Sequence, residues 1–235
     1  MTVAINQIER YYDTYEVEGE EMGQSDVHFD TVHYLILVLK WLYHGQKVYI
    51  SGELNLYHTP NPQEIPLCPD VVVIKGVAPR EVSGTDFSSY HVGVDGPAPA
   101  LAIEVASPKT WKADLEDKPA RYAEFGVQEY FACDPNSKAV WTGKWRNARR
   151  LLGWELNQHN QLEALQVNAK GQLWSEQTQS NLVIENRSLH LYDSDDKLRL
   201  TEAGAGWEQA EIEKVRFEKL AAFLRKQGYN PDDVI

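Results

Sequence analysis

The chain has 235 residues, with 23 Lys and Arg against 35 Asp and Glu, and its formal net charge is −12. This balance argues against a protein that coats DNA nonspecifically, because such binding needs clustered basic side chains. A hydrophobic content of 43%, no apolar run of membrane-spanning length and only two cysteines predict a globular cytoplasmic protein without a membrane span or a disulfide scaffold.

The predicted elements begin with a helix over residues 26–43, which has a wide apolar face, Asp26 as its expected N-cap and Gly45 just after its end. Short apolar segments predict strands at 47–58, 68–76, 99–108 and 128–135, and residues 77–99 are expected to form a long loop. A short helix is predicted at 119–127, between the last two of these strands.

Strands are predicted to dominate the rest of the chain, at 138–145, 149–156, 161–167, 181–193 and 197–204, before a final helix over 205–227. This order predicts an α/β core with a β-rich C-terminal extension. We expect three parts: an acidic segment at 1–25 without a secretory signal, one domain at 26–200, and a C-terminal helix at 201–235 that belongs to the domain or contacts a second copy.

Two of the predicted strands each carry one acid in apolar company. Asp70 begins the strand that follows Pro69, and Glu104 lies inside a strand of Leu, Ala, Ile and Val. Alternation along that strand places Glu104 on the same face as Ala102 and Ala106. An ionised carboxylate is unfavourable there unless a cation or hydrogen bonds compensate. Two acids and a backbone carbonyl would suit Mg²⁺ or Mn²⁺. The structural alternatives are that Glu104 is an acid at a strand end paired with Arg or Lys, and that Asp70 belongs to an ordinary turn before its strand.

The residues around these acids resemble the PD-(D/E)XK nuclease superfamily, and one branch of it in detail, the Uma-two family, which is assigned to the restriction endonucleases. The resemblance covers roughly residues 20–200. Its motifs are Pro69-Asp70, Ile103-Glu104-Val105-x-Ser107-Pro108, Asp114-Leu115, Lys118, Tyr122, Gly126-Val127, Glu129-Tyr130 and Asp134-Pro135. The opening helix with His28 also fits the family.

The resemblance implies a restriction-endonuclease-like fold, with a mixed sheet flanked by helices, and a Mg²⁺-dependent endonuclease that hydrolyses phosphodiester bonds in DNA. Asp70, Glu104 and the backbone carbonyl of Val105 would hold Mg²⁺ or Mn²⁺, and a lysine would orient or deprotonate a water. It also implies a homodimer, since a DNA duplex presents two strands. Phe217, Leu220 and Leu224 of the last helix form a candidate contact.

The chain departs from the superfamily at one position. The usual lysine lies two residues after the acid, where this chain has Ala106. Lys118 matches the lysine of the Uma-two family and is our candidate for the catalytic lysine, with Lys109 and Lys112 as the other lysines nearby. The alternative for Lys118 is a solvated lysine at the start of a helix, paired with Asp114 four residues earlier.

Other residues give weaker indications. Glu53 is a possible third acid near the metal. His28 and His33 have the wrong spacing for a zinc pair and suit core or capping positions better. Cys68 and Cys133 flank apolar strands and are expected to be buried thiols. The run from Lys144 to Arg150 has four bases and no acid, as in a phosphate-binding segment or a solvated hairpin tip.

Three functions remain open from the sequence. The first is the metal-dependent DNA endonuclease. The second is a binding or regulatory protein with a nuclease fold whose catalytic site has decayed, which Ala106 and the negative charge favour. The third is a metal-dependent hydrolase of a smaller phosphoester.

Overall fold

The computed structural model describes residues 25–59, 61, 63–84, 87, 89–107, 110–135 and 150–230. The helices are α1 (Asp26–Leu42), α2 (Arg80–Ser83), α3 (Trp111–Glu116), α4 (Lys118–Glu124) and α5 (Glu202–Lys226). The strands are β1 (Val48–Ser51), β2 (Asn55–Tyr57), β3 (Val71–Lys75), β4 (Ser89–His91), β5 (Leu101–Val105), β6 (Glu129–Cys133), β7 (Leu151–Leu156), β8 (Leu162–Ala164), β9 (Leu173–Ser175), β10 (Ser180–Glu185) and β11 (Ser188–Tyr192).

The central sheet of the described chain is six-stranded and mixed, in the order β1-β3-β5-β6-β7-β8. Its parallel pair is β5 with β6, and the other neighbours are antiparallel. The crossover from β5 to β6 runs through α3 and α4, as a parallel connection requires. A second, antiparallel sheet has the order β11-β10-β9, and β2 pairs in parallel with β4.

The central sheet is covered on both faces. On one face, α1 and the β9–β11 sheet bury Leu35, Val73, Ile103 and Leu191 in one core. On the other face, Tyr122 of α4 and the side chains around it pack against the opposite side of the same strands in a second core. Burial on both faces explains why β3 and β5 read as nearly continuous apolar runs. The predicted mixed sheet with flanking helices, C-terminal strands and a terminal helix is therefore confirmed.

Several local predictions need correction. Ser25, not Asp26, is the N-cap of α1, and its hydroxyl accepts the backbone N–H of His28 at 3.3 Å. The expected loop at 77–99 contains α2 and β4. The strand predicted at 197–204 is wrong, because Leu198 forms only a single bridge to Tyr192 and α5 begins at Glu202.

Three predictions fall outside the described residues. They concern the structure of the acidic segment up to residue 24, the strand at 138–145 and the part of the basic run from Lys144 to Arg149. Within the part of the chain that the structure describes, no helix is both long and apolar enough to cross a membrane.

Candidate active site

Asp70 and Glu104 lie next to each other at one end of the central sheet. Strands β3 and β5 are antiparallel, with Val71 opposite Ile103 and Val72 opposite Ala102. Continuing this register by one residue places Asp70 opposite Glu104. Val72 and Ala102 both belong to the core beneath α3 and α4, so the alternation of side chains directs both acids toward that face. The structure thus brings the two predicted acids together.

Asp70 links β3 to β5 and to α1. Its Oδ2 accepts the backbone N–H of Val105 at 2.7 Å. The same oxygen lies 3.3 Å from Nε2 of His28, a buried residue in the first turn of α1. Nδ1 of that imidazole has no hydrogen-bond partner in the described chain. These contacts fix one carboxylate oxygen of Asp70 between a strand and a helix.

Glu104 is 2% exposed, and two side chains of α4 reach its carboxylate. Lys118 Nζ lies 2.7 Å from Oε1, and the hydroxyl of Tyr122 donates to the same oxygen at 2.6 Å. Lys118 and Tyr122 are four residues apart, so they lie on one face of the helix. The small side chains of Ala102 and Ala106 leave room for them on the sheet.

Lys118 also contacts a third acid. Asp114 of α3 is fully buried, and its Oδ1 lies 2.7 Å from Lys118 Nζ. Tyr130 of β6 donates a hydrogen bond to the backbone carbonyl of Asp114 at 2.7 Å and so holds α3 against the sheet. The predicted pairing of Lys118 with Asp114 exists, but the lysine is not solvated, since its side chain is only 16% exposed.

Burial dominates the electrostatics of this cluster. Desolvation, together with the nearby charges of Asp70 and Asp114, raises the pKa of Glu104 to about 8 although Lys118 opposes the shift. Desolvation also raises the pKa of Asp114. For Lys118, burial acts against the charged form, but Glu104 and Asp114 outweigh it and raise its pKa. Lys118 and Tyr122 both contact Oε1 and favour the ionised form of Glu104, but burial has the larger effect on its pKa.

Glu104, Asp114 and Lys118 form a buried group of two acids and one lysine, with Asp70 beside them. The cluster thus holds three carboxyl groups and one ammonium, and two of the carboxyl groups contact that ammonium. An uncompensated buried charge is strongly unfavourable. This excess of negative charge is the feature of the cluster that a cation would relieve.

Other candidates lie at the border of the cluster or away from it. Glu53 is exposed, has a positive φ of 53° and donates its backbone N–H to the carbonyl of Pro69 at 3.1 Å. The bend before it depends on Gly52, since a Cβ there would lie 3.0 Å from the carbonyl oxygen of Asp70. Lys112 is 68% exposed and pairs with Glu116 at 3.9 Å, and Lys109 lies outside the described residues.

The histidines and cysteines divide between core and surface. His33 is exposed and stacks on Phe29, so it forms no zinc pair with the buried His28. Cys133 is buried, as expected, but Cys68 is exposed, because it lies in the segment before β3 rather than inside a strand. Desolvation, together with the acids Glu104, Glu53 and Asp70, raises the pKa of Cys68 to about 11, which makes it a weak nucleophile.

Sequence reasoning paired Lys118 with Asp114 only as an alternative to catalysis, and it gave Tyr122 and His28 no contact with the two acids. Asp114 and Tyr122 lie four residues before and after Lys118, and this i, i+4 spacing was the available signal. The contact between His28 and Asp70 spans 42 positions of the chain, and no local pattern indicates it.

The donor set suits a hard divalent cation. Mg²⁺ binds oxygen and commonly takes one or two carboxylates, with waters in its remaining positions. Asp70 and Glu104 offer such oxygens on directly paired strands, and Asp114 adds a third carboxyl group to the cluster. Among the described residues, no group of three or more His, Cys, Asp and Glu side chains forms a complete ligand set. The residues therefore fit a water-rich magnesium site and not a closed protein cage.

Comparisons with known proteins identify the family. A solved structure of a "putative nuclease belonging to DUF820" from Anabaena variabilis aligns with 15% identity and a TM-score of 0.40, over 63% of this chain and 74% of that one. No curated protein matches the chain. The family model of Uma2, described as "Putative restriction endonuclease", matches residues 6–185, and the protein therefore belongs to the Uma2 family.

Proposed function

We propose that the protein is a Mg²⁺- or Mn²⁺-dependent endonuclease that hydrolyses phosphodiester bonds in DNA. The observation that carries this proposal is the buried cluster of Asp70, Glu104 and Asp114 around Lys118. Family membership supports the same reaction. The fold alone does not specify an activity, so the argument depends on the cluster.

In this proposal, Asp70, Glu104 and the carbonyl of Val105 hold the cation. A bound divalent ion would lower the pKa of a water and stabilise negative charge on the scissile phosphate. His28 keeps Asp70 in position by contacting Oδ2, and Tyr122 does the same for Glu104 through Oε1. These contacts leave the other oxygen of each carboxylate for the ligand.

Lys118 acts as the catalytic lysine in place of the superfamily position taken by Ala106. An ammonium has three N–H donors. Lys118 Nζ contacts one carboxylate oxygen of Glu104 and one of Asp114, which leaves a third N–H for the attacking water or the phosphate. Lys118 thus orients the reacting groups from α4, and its two carboxylate partners fix its direction.

The proposal includes DNA as the substrate and a homodimer as the functional oligomeric state. A duplex has two strands to cut, and a two-fold dimer presents one site to each strand.

The alternative of a decayed, non-catalytic member rests on Ala106 and on the negative net charge of the chain. Its argument is weakened by Lys118, which approaches Glu104 from another element.

Metal binding is the first test. Calorimetric titration with Mn²⁺ should show binding to the full chain and its loss in both Asp70→Ala and Glu104→Ala, while Glu116→Gln, an exposed acid of α3, should bind like the parent. Equal Mn²⁺ affinity in all four proteins would overturn the metal site. No binding to the parent would favour the decayed member.

Cleavage is the second test. Supercoiled plasmid, oligonucleotides and a small phosphodiester are incubated with Mg²⁺ or Mn²⁺, and cutting of the DNA is expected. Lys118→Ala should lose cleavage but keep Mn²⁺ binding, and adding Ala106→Lys should restore part of the activity. Cleavage of the small phosphodiester alone would instead favour a metal-dependent hydrolase of a smaller phosphoester. Full cleavage by Lys118→Ala would refute the role of this lysine.

A further inference from the structure

Helix α5 carries large apolar side chains in solvent. It has 25 residues, all of them described, and Ala221 is the buried one among them. Phe217, Leu220 and Phe223 are 55%, 56% and 58% exposed, and Trp207 is 80% exposed. In proteins, most of the stability of a helix comes from packing its apolar face against another element. Exposed apolar groups in one region of a soluble protein indicate an interaction surface.

The apolar residues of the C-terminal half follow the spacing of a helix–helix seam. Phe217, Leu220 and Leu224 are related by i, i+3 and i+7, and Phe223 flanks them. This is the spacing with which side chains of one helix pack against a parallel or antiparallel neighbour. The surface therefore suits another helix.

The charges of α5 are divided between its two halves. Residues 202–213 contain four acids and no Lys or Arg, whereas residues 214–226 contain five Lys and Arg and one acid. The net charges are thus −4 and +4. The helix macrodipole also favours this order, but its influence fades within the first and last turns. Here the division extends over about three turns on each side of the middle, given 3.6 residues per turn.

The sizes of the side chains differ between the halves in a similar way. The acidic half carries five small residues (Ala203, Gly204, Ala205, Gly206 and Ala210) besides Trp207 and Ile212, whereas the basic half carries two Phe, two Leu, one Val and two Ala. A parallel pair of α5 helices would place like charges together and large side chains against large ones. An antiparallel pair places acids against bases and large side chains against small ones. Both divisions therefore select the antiparallel arrangement.

We propose that two copies of this chain associate through α5, with their two helices antiparallel and related by a two-fold axis near Lys214. Each apolar surface of Phe217, Leu220 and Leu224 lies against the partner's acidic half, where Leu224 comes opposite Gly204. A two-fold contact of this kind closes on itself and yields a dimer, not a filament. The inference rests on the homodimer of the proposed function and is independent of its hydrolytic step.

The first experiment measures mass in solution. Sedimentation of the full chain at micromolar concentration should give twice the mass of 26.8 kDa. Leu220→Glu should shift the protein to the monomer, because it adds an acid to the surface that faces the partner's acidic half. Ala222→Glu is the matched control, because it adds the same acid about 200° away around the helix. A monomeric parent, or a Leu220→Glu variant that stays dimeric, would overturn the proposal.

The second experiment measures orientation. With Cys68→Ser removing the exposed thiol, a spin label on Lys226→Cys reports the distance between the C-terminal ends of the two helices. At ~1.5 Å per residue, an antiparallel pair separates these ends by about 35–40 Å, whereas a parallel pair brings them within about 20 Å. The short distance would refute the antiparallel arrangement. Leu220→Glu should bind Mn²⁺ with the affinity of the parent. This measurement distinguishes failure of the proposed dimer from failure of the proposed metal site.

Discussion

Glu104 and Glu129 are buried acids on the neighbouring parallel strands β5 and β6, yet their surroundings differ in kind. They are 2% and 1% exposed, and burial is the largest cause of the raised pKa of each. Glu104 faces α4, where a lysine and a tyrosine reach it. Glu129 lies at the opposite face, where Ser175 donates to its Oε2 at 2.5 Å, and the backbone N–H groups of Glu176 and Gln177 donate to its Oε1 at 2.7 and 3.2 Å.

The difference separates a structural acid from a candidate ligand. The carboxylate of Glu129 is satisfied by neutral donors that belong to one turn, so it anchors the β9–β10 connection to the central sheet. Glu104 shares a single cation with Asp114 and lies beside Asp70, so its charge is only partly compensated. Both acids belong to the family motifs, and their partners, not their burial, distinguish the two roles.

Removing the ammonium of Lys118 from the Glu104 cluster should have the largest effect. Lys118→Met leaves Glu104 and Asp114 buried without their ammonium and should lower the free energy of unfolding by about 3–5 kcal/mol. Urea denaturation measures this loss, and Mn²⁺ should restore part of it. Lys112→Met is the matched control, because its exposed pair with Glu116 contributes at most about 1 kcal/mol. Equal losses in the two variants would contradict the comparison.

The second effect concerns activity. Glu104→Gln should reduce Mn²⁺-dependent nicking of plasmid by about 100-fold or more, since it removes a charge at the reacting centre. Glu129→Gln keeps an oxygen for the turn and should nick within about threefold of the parent. The initial rates of plasmid nicking by the two variants and the parent are compared at saturating Mn²⁺. A comparable loss in Glu129→Gln would remove the distinction between the two acids.

A smaller effect is expected at His28. His28→Ala removes the imidazole that contacts Asp70 and should weaken Mn²⁺ binding by about 10-fold, as the loss of an outer partner of a metal ligand commonly does. Calorimetric titration measures the affinity. His33→Ala, on the exposed side of the same helix, is the control and should bind like the parent. An unchanged affinity in His28→Ala would show that Val105 alone positions Asp70.

The smallest effect is a pH dependence of stability at Glu129. The folded state raises the pKa of Glu129 above its unfolded value of about 4.3. The protonated form of Glu129 therefore stabilises the fold. This stability is fully present below the unfolded pKa and is lost as the pH rises through the folded pKa. The unfolding free energy of the parent relative to Glu129→Gln should therefore fall as the pH rises. Urea denaturation of both proteins from pH 5 to 8 measures this difference, and a constant difference would contradict the prediction.

Much of the fold followed from local pattern. The apolar runs of β3 and β5 predicted strands buried on both faces, and the helical spacing of 26–43 predicted α1 to within one residue at its C-terminal end. The alternation that placed Glu104 with Ala102 and Ala106 is confirmed by their shared core face. These features depend on interactions within one element, which a sequence pattern records.

The failures came where distant segments supply the stabilising contacts. Strand β4 forms inside a Pro- and Gly-rich stretch because β2 pairs with it. Residues 197–204 were predicted to form a strand but have only one bridge, from Leu198 to Tyr192. Pairing partners of this kind decide whether a short segment becomes a strand, and its own residues do not.

From the sequence alone came the pair of acids Asp70 and Glu104, Lys118 as the candidate lysine, and the family to which the chain belongs. Only the tertiary structure decided that Lys118 lies between Glu104 and Asp114, that His28 contacts Asp70, and that Glu129 anchors a turn instead of joining the site. The physical reason is that the state of a buried carboxylate depends on the donors and charges within a few ångströms of it. In this protein those groups come from helices and turns far away along the chain.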